Sequence, residues 1–205
     1  MGEDTGKQVL LFRHGATEWS ISGKHTSHSD IPLTDEGRRG AAALRPLLAQ
    51  WELSLVLSSP LQRARETCRL AGLGEEMELC DDLTEWNYGR YEGMTTPEIR
   101  KQVPGWTVFS QPVPGGETPG EVAARCDKVI QRILAASGNV ALFAHGHVLR
   151  VFAARWLHQA PESGQHFVLG TSTLSRLGYE HENRAVLTWN APLSGKVEAE
   201  RAHFA

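Results

Sequence analysis

The residues best suited to chemistry in this chain are arginines and histidines that follow apolar runs. They are Arg13-His14-Gly15 after Gln8 to Phe12, Arg63 after Ser54 to Ser58, and His145-Gly146-His147 after Val140 to Ala144. Two histidines and two arginines meeting at one point would clamp an oxyanion, because guanidinium forks match phosphate geometry and an imidazolium adds a short charged donor. Phosphate is the natural guest. A neutral imidazole is also a competent nucleophile toward phosphorus, provided its other nitrogen is held by a hydrogen bond and the developing charge is neutralised. His14, between Arg13 and Gly15, is the best candidate. The departing alkoxide needs a proton, and the acids placed for it fall in Asp81-Asp82-Leu83-Thr84-Glu85-Trp86. Glu85, beside Trp86 and Tyr88, has the apolar setting in which a carboxyl keeps its proton. Spacing alone does not separate it from Asp81, Asp82 or Glu92.

These groups need elements to bring them together. Gln8 to Phe12, Ser54 to Ser58 and Val140 to Ala144 read as buried strands, and Met77 to Cys80 as a short third strand in chain order. Helices are expected over about 35 to 49, with Pro46 as a kink or early stop, from Ser59-Pro60 to near Gly72, from Thr118 to about Ala136, and from Leu149 to Leu157. Thr118-Pro119-Gly120-Glu121 is the strongest helix start, combining a threonine cap, proline at the first position and a glutamate that can close a capping box; Thr95 to Glu98 fits the same pattern. Val103 to Gly116 reads as an irregular loop. Ser172 to Tyr179 and Ala185 to Trp189, around a polar turn at Glu182-Asn183, suggest a closing strand pair before a loose tail from about Pro192. Alternating strands and helices place the chain in the α/β class, as a three-layer α/β/α sandwich with a largely parallel central sheet. Function in such sheets collects beyond the carboxyl ends of the strands, where Arg13-His14, Arg63 and His145-Gly146-His147 stand.

Composition excludes several other classes. At 205 residues, against roughly 150 for a typical domain, the whole chain is expected to form a single domain. A net charge of −3 gives no positive field for nucleic acid, and the longest apolar runs are far below the ~18 residues of a membrane span. A polar, acidic start without an apolar leader suggests a cytoplasmic protein. Cys68, Cys80 and Cys126 are widely spaced and read as reduced, buried thiols. Cys126 and Arg132 have the spacing of cysteine-dependent phosphatases, but Val122, Cys126, Val129, Ile130 and Ile133 form a helical apolar stripe, which puts the thiol in a core rather than in a phosphate loop. A metallohydrolase built on His14, His145 and His147 lacks ligand-like aspartate pairs nearby. Arg65 and Arg69 read as solvated helix arginines, His25 and His28 as loop residues, and Trp86, Tyr88 and Trp106 fit either a pocket wall or the core.

Taken in order, Leu11-Phe12-Arg13-His14-Gly15-Ala16-Thr17-Glu18-Trp19, Ser58-Ser59-Pro60-Leu61-Gln62-Arg63-Ala64-Arg65-Glu66-Thr67, Leu83-Thr84-Glu85 with Gly89 and Glu92-Gly93, Gly115-Gly116-Glu117-Thr118 and Ala144-His145-Gly146-His147 resemble the histidine phosphatase superfamily, in its phosphoglycerate-mutase-like branch. The resemblance spans residues 10 to 150. It implies that His14 becomes phosphohistidine, that Arg13, Arg63 and His145 bind the phosphoryl group, and that Glu85 is the proton donor, in a reaction without metal or cofactor. Ser20, Thr26, Tyr88 and His147 are the residues expected to contact substrate. Mutases of the branch carry Asn where Ser20 stands and a longer lid insertion, whereas only 22 residues separate Gly93 from Gly116. Hydrolysis is therefore favoured over transfer, since a water-excluding lid is what returns a phosphoryl group to an acceptor. The expectation is a cofactor-independent phosphomonoesterase for small phosphorylated metabolites, of the acid phosphatase or sugar-phosphate/bisphosphate type. The alternatives are a phosphoglycerate-mutase-type transferase and a silent phosphoester-binding module. The resemblance leaves a homodimer open.

Overall fold

The computed structural model describes residues 6–192. Its centre is a six-stranded sheet in the order β3-β2-β4-β1-β5-β6, formed by β1 (Val9–Arg13), β2 (Leu53–Ser58), β3 (Met77–Leu79), β4 (Asn139–Ala144), β5 (Leu174–Glu180) and β6 (Asn183–Ala191). The first four strands in that order run parallel, and β5 and β6 add an antiparallel edge. This is the expected α/β class with its largely parallel sheet.

The strands carry continuous apolar runs because both faces are covered. Val9 and Leu11 point into one cluster with Val140, Leu142, Val129 and Phe152, while Leu10 and Phe12 point into the other with Ala141, Phe143, Leu44 and Cys68. All four β1 residues from Val9 to Phe12 are fully buried. Helices α2 (Asp35–Ala42), α3 (Arg45–Leu48) and α4 (Gln62–Leu70) contribute to or border the second face, and α6 (Pro119–Ala135) and α7 (Gly146–Trp156) cover the first. Two short helices, α1 (Glu18–Ile21) and α5 (Thr96–Gln102), lie in the segments that border the strand ends.

The capping boxes read at Thr95–Glu98 and Thr118–Glu121 both form, each with reciprocal bonds between threonine and glutamate. Three expected boundaries move. The helix read over 35 to 49 breaks at Ala43 and Leu44, and Pro46 lies in the first turn of α3, where its missing N–H costs nothing. Helix α4 starts at Gln62 rather than at Pro60, because the Gln62 N–H is taken by Asp30 Oδ1 at 2.8 Å, a cap supplied from 32 residues away. Helix α7 starts at Gly146, three residues before the apolar periodicity that marked it, for a reason given below. The tail beyond Pro192 lies outside the described residues. Among those described, no helix is long and apolar enough to cross a membrane.

One close approach fixes the reactive end of β1. A Cβ on Gly15 would stand 2.4 Å from the Gly37 oxygen, and one on Gly37 would stand 2.2 Å from the Ala16 oxygen. Only hydrogen fits at either position, so the loop after β1 is pressed against the first turn of α2. Thr34 completes the join, donating its N–H to the Ala16 carbonyl and capping Gly37 N–H with its hydroxyl.

Candidate active site

Parallel pairing sets Arg13 opposite Ala144, so β1 and β4 end side by side. The next residues, His14 and His145, are joined through the His14 N–H to Ala144 carbonyl bond at 3.0 Å, and their rings are 5.2 Å apart between centroids. His14 Nδ1 lies 2.7 Å from the Gly15 carbonyl. A carbonyl only accepts, so Nδ1 carries the ring proton and Nε2 holds the lone pair. Burial pushes the His14 pKa well below its ordinary 6.5, with Arg13 and Arg63 lowering it further. The ring is therefore neutral at physiological pH, as a nucleophile must be.

His145 is held in the opposite tautomer. Arg63 donates its Nε–H to His145 Nδ1 at 3.1 Å, which leaves the proton on Nε2, directed at Ser59 Oγ at 2.7 Å. Burial, then Arg63, His14 and Arg13, also lower its pKa well below 6.5. The charged imidazolium donor expected from the sequence is thus a neutral donor here, because burial disfavours the charged ring and the two guanidiniums oppose a third positive charge.

The two arginines differ in their freedom. Arg13 donates from Nη1 to the Leu169 carbonyl at 2.7 Å, while its Nε is buried without a partner in the cavity wall. Arg63 is fully buried, although it sits off the apolar stripe of α4. Besides His145 it binds the carbonyls of Ser29, Thr26 and Ser27, so four of its five N–H groups are committed. It does not line the cavity. Glu92, by contrast, secures the same segment by accepting from Ser27 and Ser29 N–H.

Glu85 does not occupy the apolar setting expected of it. Oε1 accepts the backbone N–H of Trp86 and of Val148, and Oε2 accepts that of His147, all at 2.9 Å. The carboxylate caps α7, which explains why that helix opens at Gly146: a buried acid from another segment satisfies its first-turn donors. Asp81 and Asp82 lie in a short 3-10 turn before it and do not line the cavity.

Arg13, His14 and Glu85 line a cavity of about 250 Å³ together with Tyr88, His147, Arg150, Ser20, Lys24, His25 and Thr26, whereas His145 is fully buried and is not part of its lining. Each substrate-contact residue expected from the sequence lines it. Tyr88 shares a 2.6 Å hydrogen bond with His147 Nδ1. Ser20 closes the capping box of α1 with Thr17, donating to the Thr17 carbonyl, so its hydroxyl proton is engaged. Thr26 donates to the Lys24 carbonyl. Trp86 belongs to the core, while Trp106, itself buried, meets the His25 ring edge-on and lies in the wall of an adjoining hollow of about 250 Å³. His25, read as a loop residue, is buried in the wall against Tyr88 at 4.7 Å. Lys24, Thr96 and Arg150 were missed. Arg150 alone had a signal, lying one helical turn beyond His147 on the same face of α7. A larger hollow of about 560 Å³ at the amino ends of the strands, around Lys7, Ser54 and Asn139, carries no histidine or arginine.

Cys68, Cys80 and Cys126 are buried, and burial pushes the Cys68 and Cys126 thiols up to about 12. They are inert as nucleophiles. No group of three or more histidine, cysteine or acidic side chains among the described residues is arranged to hold a metal ion.

A lone-pair imidazole nitrogen, an unpartnered buried guanidinium N–H and a carboxyl group around one cavity, at the carboxyl ends of adjacent parallel strands, define a phosphatase that works through an enzyme histidine. The chain belongs to the histidine phosphatase superfamily (branch 1), which it matches over residues 9–192. It is 38% identical over 178 residues to an acid phosphatase of Mycobacterium tuberculosis, covering 85% of this chain and 87% of that protein. It is 35% identical over 182 residues to the sedoheptulose 1,7-bisphosphatase of Saccharomyces cerevisiae, covering 73% and 67%. A solved Mycobacterium tuberculosis structure superposes with a TM-score of 0.87 at 36% identity, covering 91% of this chain and 98% of the other.

Proposed function

We propose that the protein hydrolyses small phosphorylated metabolites through a phosphohistidine at His14, the whole chain acting as one domain. His14 Nε2 attacks phosphorus, the bond to the ester oxygen breaks, and Glu85, entering the step as the neutral acid, delivers its proton to the departing alkoxide and becomes the carboxylate held by the Trp86, His147 and Val148 N–H groups. Water then attacks the phosphohistidine, Glu85 takes up its proton, and inorganic phosphate leaves with His14 restored. Arg13 Nε–H receives one phosphoryl oxygen, and His145 Nε2–H exchanges its Ser59 Oγ partner for another. Arg63 acts from behind the cavity wall, fixing the His145 tautomer and the 26–29 segment and adding its positive charge to the field at the phosphoryl group. Ser20, Thr26, Tyr88 and His147 border the leaving group. The names of the two relatives above, an acid phosphatase and a sugar bisphosphatase, support hydrolysis of phosphomonoesters.

The observation that carries this reading is the commitment of His14 Nδ1 to the Gly15 carbonyl, which leaves Nε2 as the lone pair. Rapid-quench turnover of an aryl phosphate is expected to release a burst of leaving group and to trap an acid-labile phosphate on His14. His14→Ala is expected to abolish both, and full activity in that variant would refute the proposal.

A further inference from the structure

The carboxyl group of Glu85 is held by three backbone N–H groups, and the segment that carries it is held by a second set of bonds centred on the pair Glu117–Arg125. Glu117 belongs to the Gly115-Gly116-Glu117-Thr118 run, in which Thr118 caps α6, and Arg125 projects from that helix. Arg125 donates Nε–H to Glu117 Oε1 at 2.8 Å and Nη2–H to Oε2 at 3.0 Å, a two-point fork. Its Nη1 donates to the carbonyls of Asp82 at 2.8 Å and Thr84 at 2.6 Å. Glu117 grips the other side. Its Oε2 accepts the Asn87 N–H at 2.8 Å, its own N–H goes to the Asn87 carbonyl at 3.0 Å, and its carbonyl accepts the Trp86 indole N–H at 2.9 Å. One ion pair therefore holds residues before and after Glu85. The approach leaves no slack, since a Cβ on Gly116 would stand 2.2 Å from the Asn87 oxygen.

Stability alone does not account for this arrangement. The side chains of Arg125 and Glu117 are 11% and 23% exposed, and an ion pair so withdrawn from water contributes little net stability beyond an apolar pair of similar volume. What it supplies is direction, because its charge-assisted bonds run to backbone on both sides of a single residue. Neither side chain lines the cavity at His14 or the hollow beside it, so an effect on the reaction must pass through the 82–87 segment. The neutral form of Glu85 has most need of such support. A protonated carboxyl offers its N–H partners one acceptor oxygen fewer, whereas bonds to the backbone around it are the same in both forms.

We propose that Glu117 and Arg125 are positioning residues for the proton donor, clamping the backbone on both sides of Glu85 so that its neutral carboxyl meets the leaving oxygen. This rests on the phosphatase reading and adds the residues that act through Glu85.

The test measures kcat/KM, which reports the steps up to phosphorylation of His14, for fructose 6-phosphate and p-nitrophenyl phosphate, well below the melting temperature of each variant. Glu117→Gln keeps the shape and removes the ion pair. It is expected to lose about 10- to 100-fold on fructose 6-phosphate, whose alkoxide needs a proton, and less than about threefold on the aryl ester, whose leaving group does not. Arg125→Lys keeps the charge but cannot span Glu117 and both carbonyls, and should show a smaller loss of the same selectivity. In a Glu85→Gln background, adding either change should cost fructose 6-phosphate less than about threefold, since no acid remains to be placed. Equal losses on both substrates, or full additivity with Glu85→Gln, overturn the positioning role and leave the phosphatase reading intact. Should Glu117→Gln not melt cooperatively, Arg125→Lys alone and with Glu85→Gln decides by the same criteria. A Glu85→Gln variant without selectivity overturns the proton-donor role and the clamp with it, and hydrolysis of neither ester by the unaltered protein overturns the phosphatase reading itself.

Discussion

Glu85→Gln separates the two tasks that fall on one carboxylate, capping α7 and protonating the leaving group. In the structure Oε1 serves two N–H groups and Oε2 a third. The amide oxygen of glutamine can keep the Trp86 and Val148 bonds, but its NH2 then faces the His147 N–H, donor against donor. Hydrogen bonds to charged groups contribute about 1.5–3 kcal/mol each, so the loss of one bond and of charge in the others should cost about 2–3 kcal/mol of stability. For a chain of this size that is a fall in melting temperature of roughly 4–12 °C, which a protein of ordinary stability survives. The chemical loss should be larger and selective. Removing a general acid costs about 10²- to 10⁴-fold when the leaving group is a poor alkoxide. A p-nitrophenolate leaves without a proton. Stopped-flow and steady-state assays of a sugar phosphate and p-nitrophenyl phosphate should therefore show the full loss in kcat/KM for the first and less than about tenfold for the second, with burst amplitude preserved for the aryl ester. Equal losses for both substrates would refute the proton-donor role and leave Glu85 as a helix cap.

Other perturbations follow from the same geometry. His25 has its pKa lowered to about 4 by burial, so the unfolded chain takes up a proton that the folded one refuses. Stability from this residue is present above pH 6.5 and lost as pH falls toward 4, amounting to about 2 kcal/mol at pH 5; urea titrations should show that much less acid sensitivity in His25→Gln, and an unchanged pH dependence would contradict it. Because the His14 pKa is well below 6.5, kcat/KM should not decline through its protonation between pH 7 and 6, and an inflection near pH 6.5 that disappears in no other single-histidine variant would argue otherwise. Gly37→Ala puts a Cβ 2.2 Å from the Ala16 oxygen and should cost about 2–4 kcal/mol together with most activity, measured by thermal melting and turnover; retention of both would mean the loop gives way freely. Iodoacetamide should leave the native enzyme fully active, since all three thiols are buried; stoichiometric alkylation with inactivation would point to an accessible thiol.

What the sequence disclosed and what it hid have a common physical origin. The buried strands were legible because burial on both faces demands unbroken apolar residues, and the capping boxes were legible because a threonine and a glutamate three apart can satisfy each other locally. His14, His145 and Glu85 were legible as chemical types, and their order along the chain carried the resemblance. The partners that make them functional were not, since most are backbone groups that any residue supplies. The Gly15 carbonyl sets the His14 tautomer, the Leu169 carbonyl holds Arg13, and three carbonyls between Thr26 and Ser29 hold Arg63. Helix α7 shows how such a partner misleads a reading of periodicity. Its apolar stripe starts at Leu149, yet the helix starts at Gly146, because an acid 61 residues upstream in the chain caps its first turn. The same bond ties Glu85 to His147, so the proton donor and the substrate-facing wall are set by one contact. A change at Glu85 that kept the capping bonds would leave the wall in place, and one that broke them would displace both.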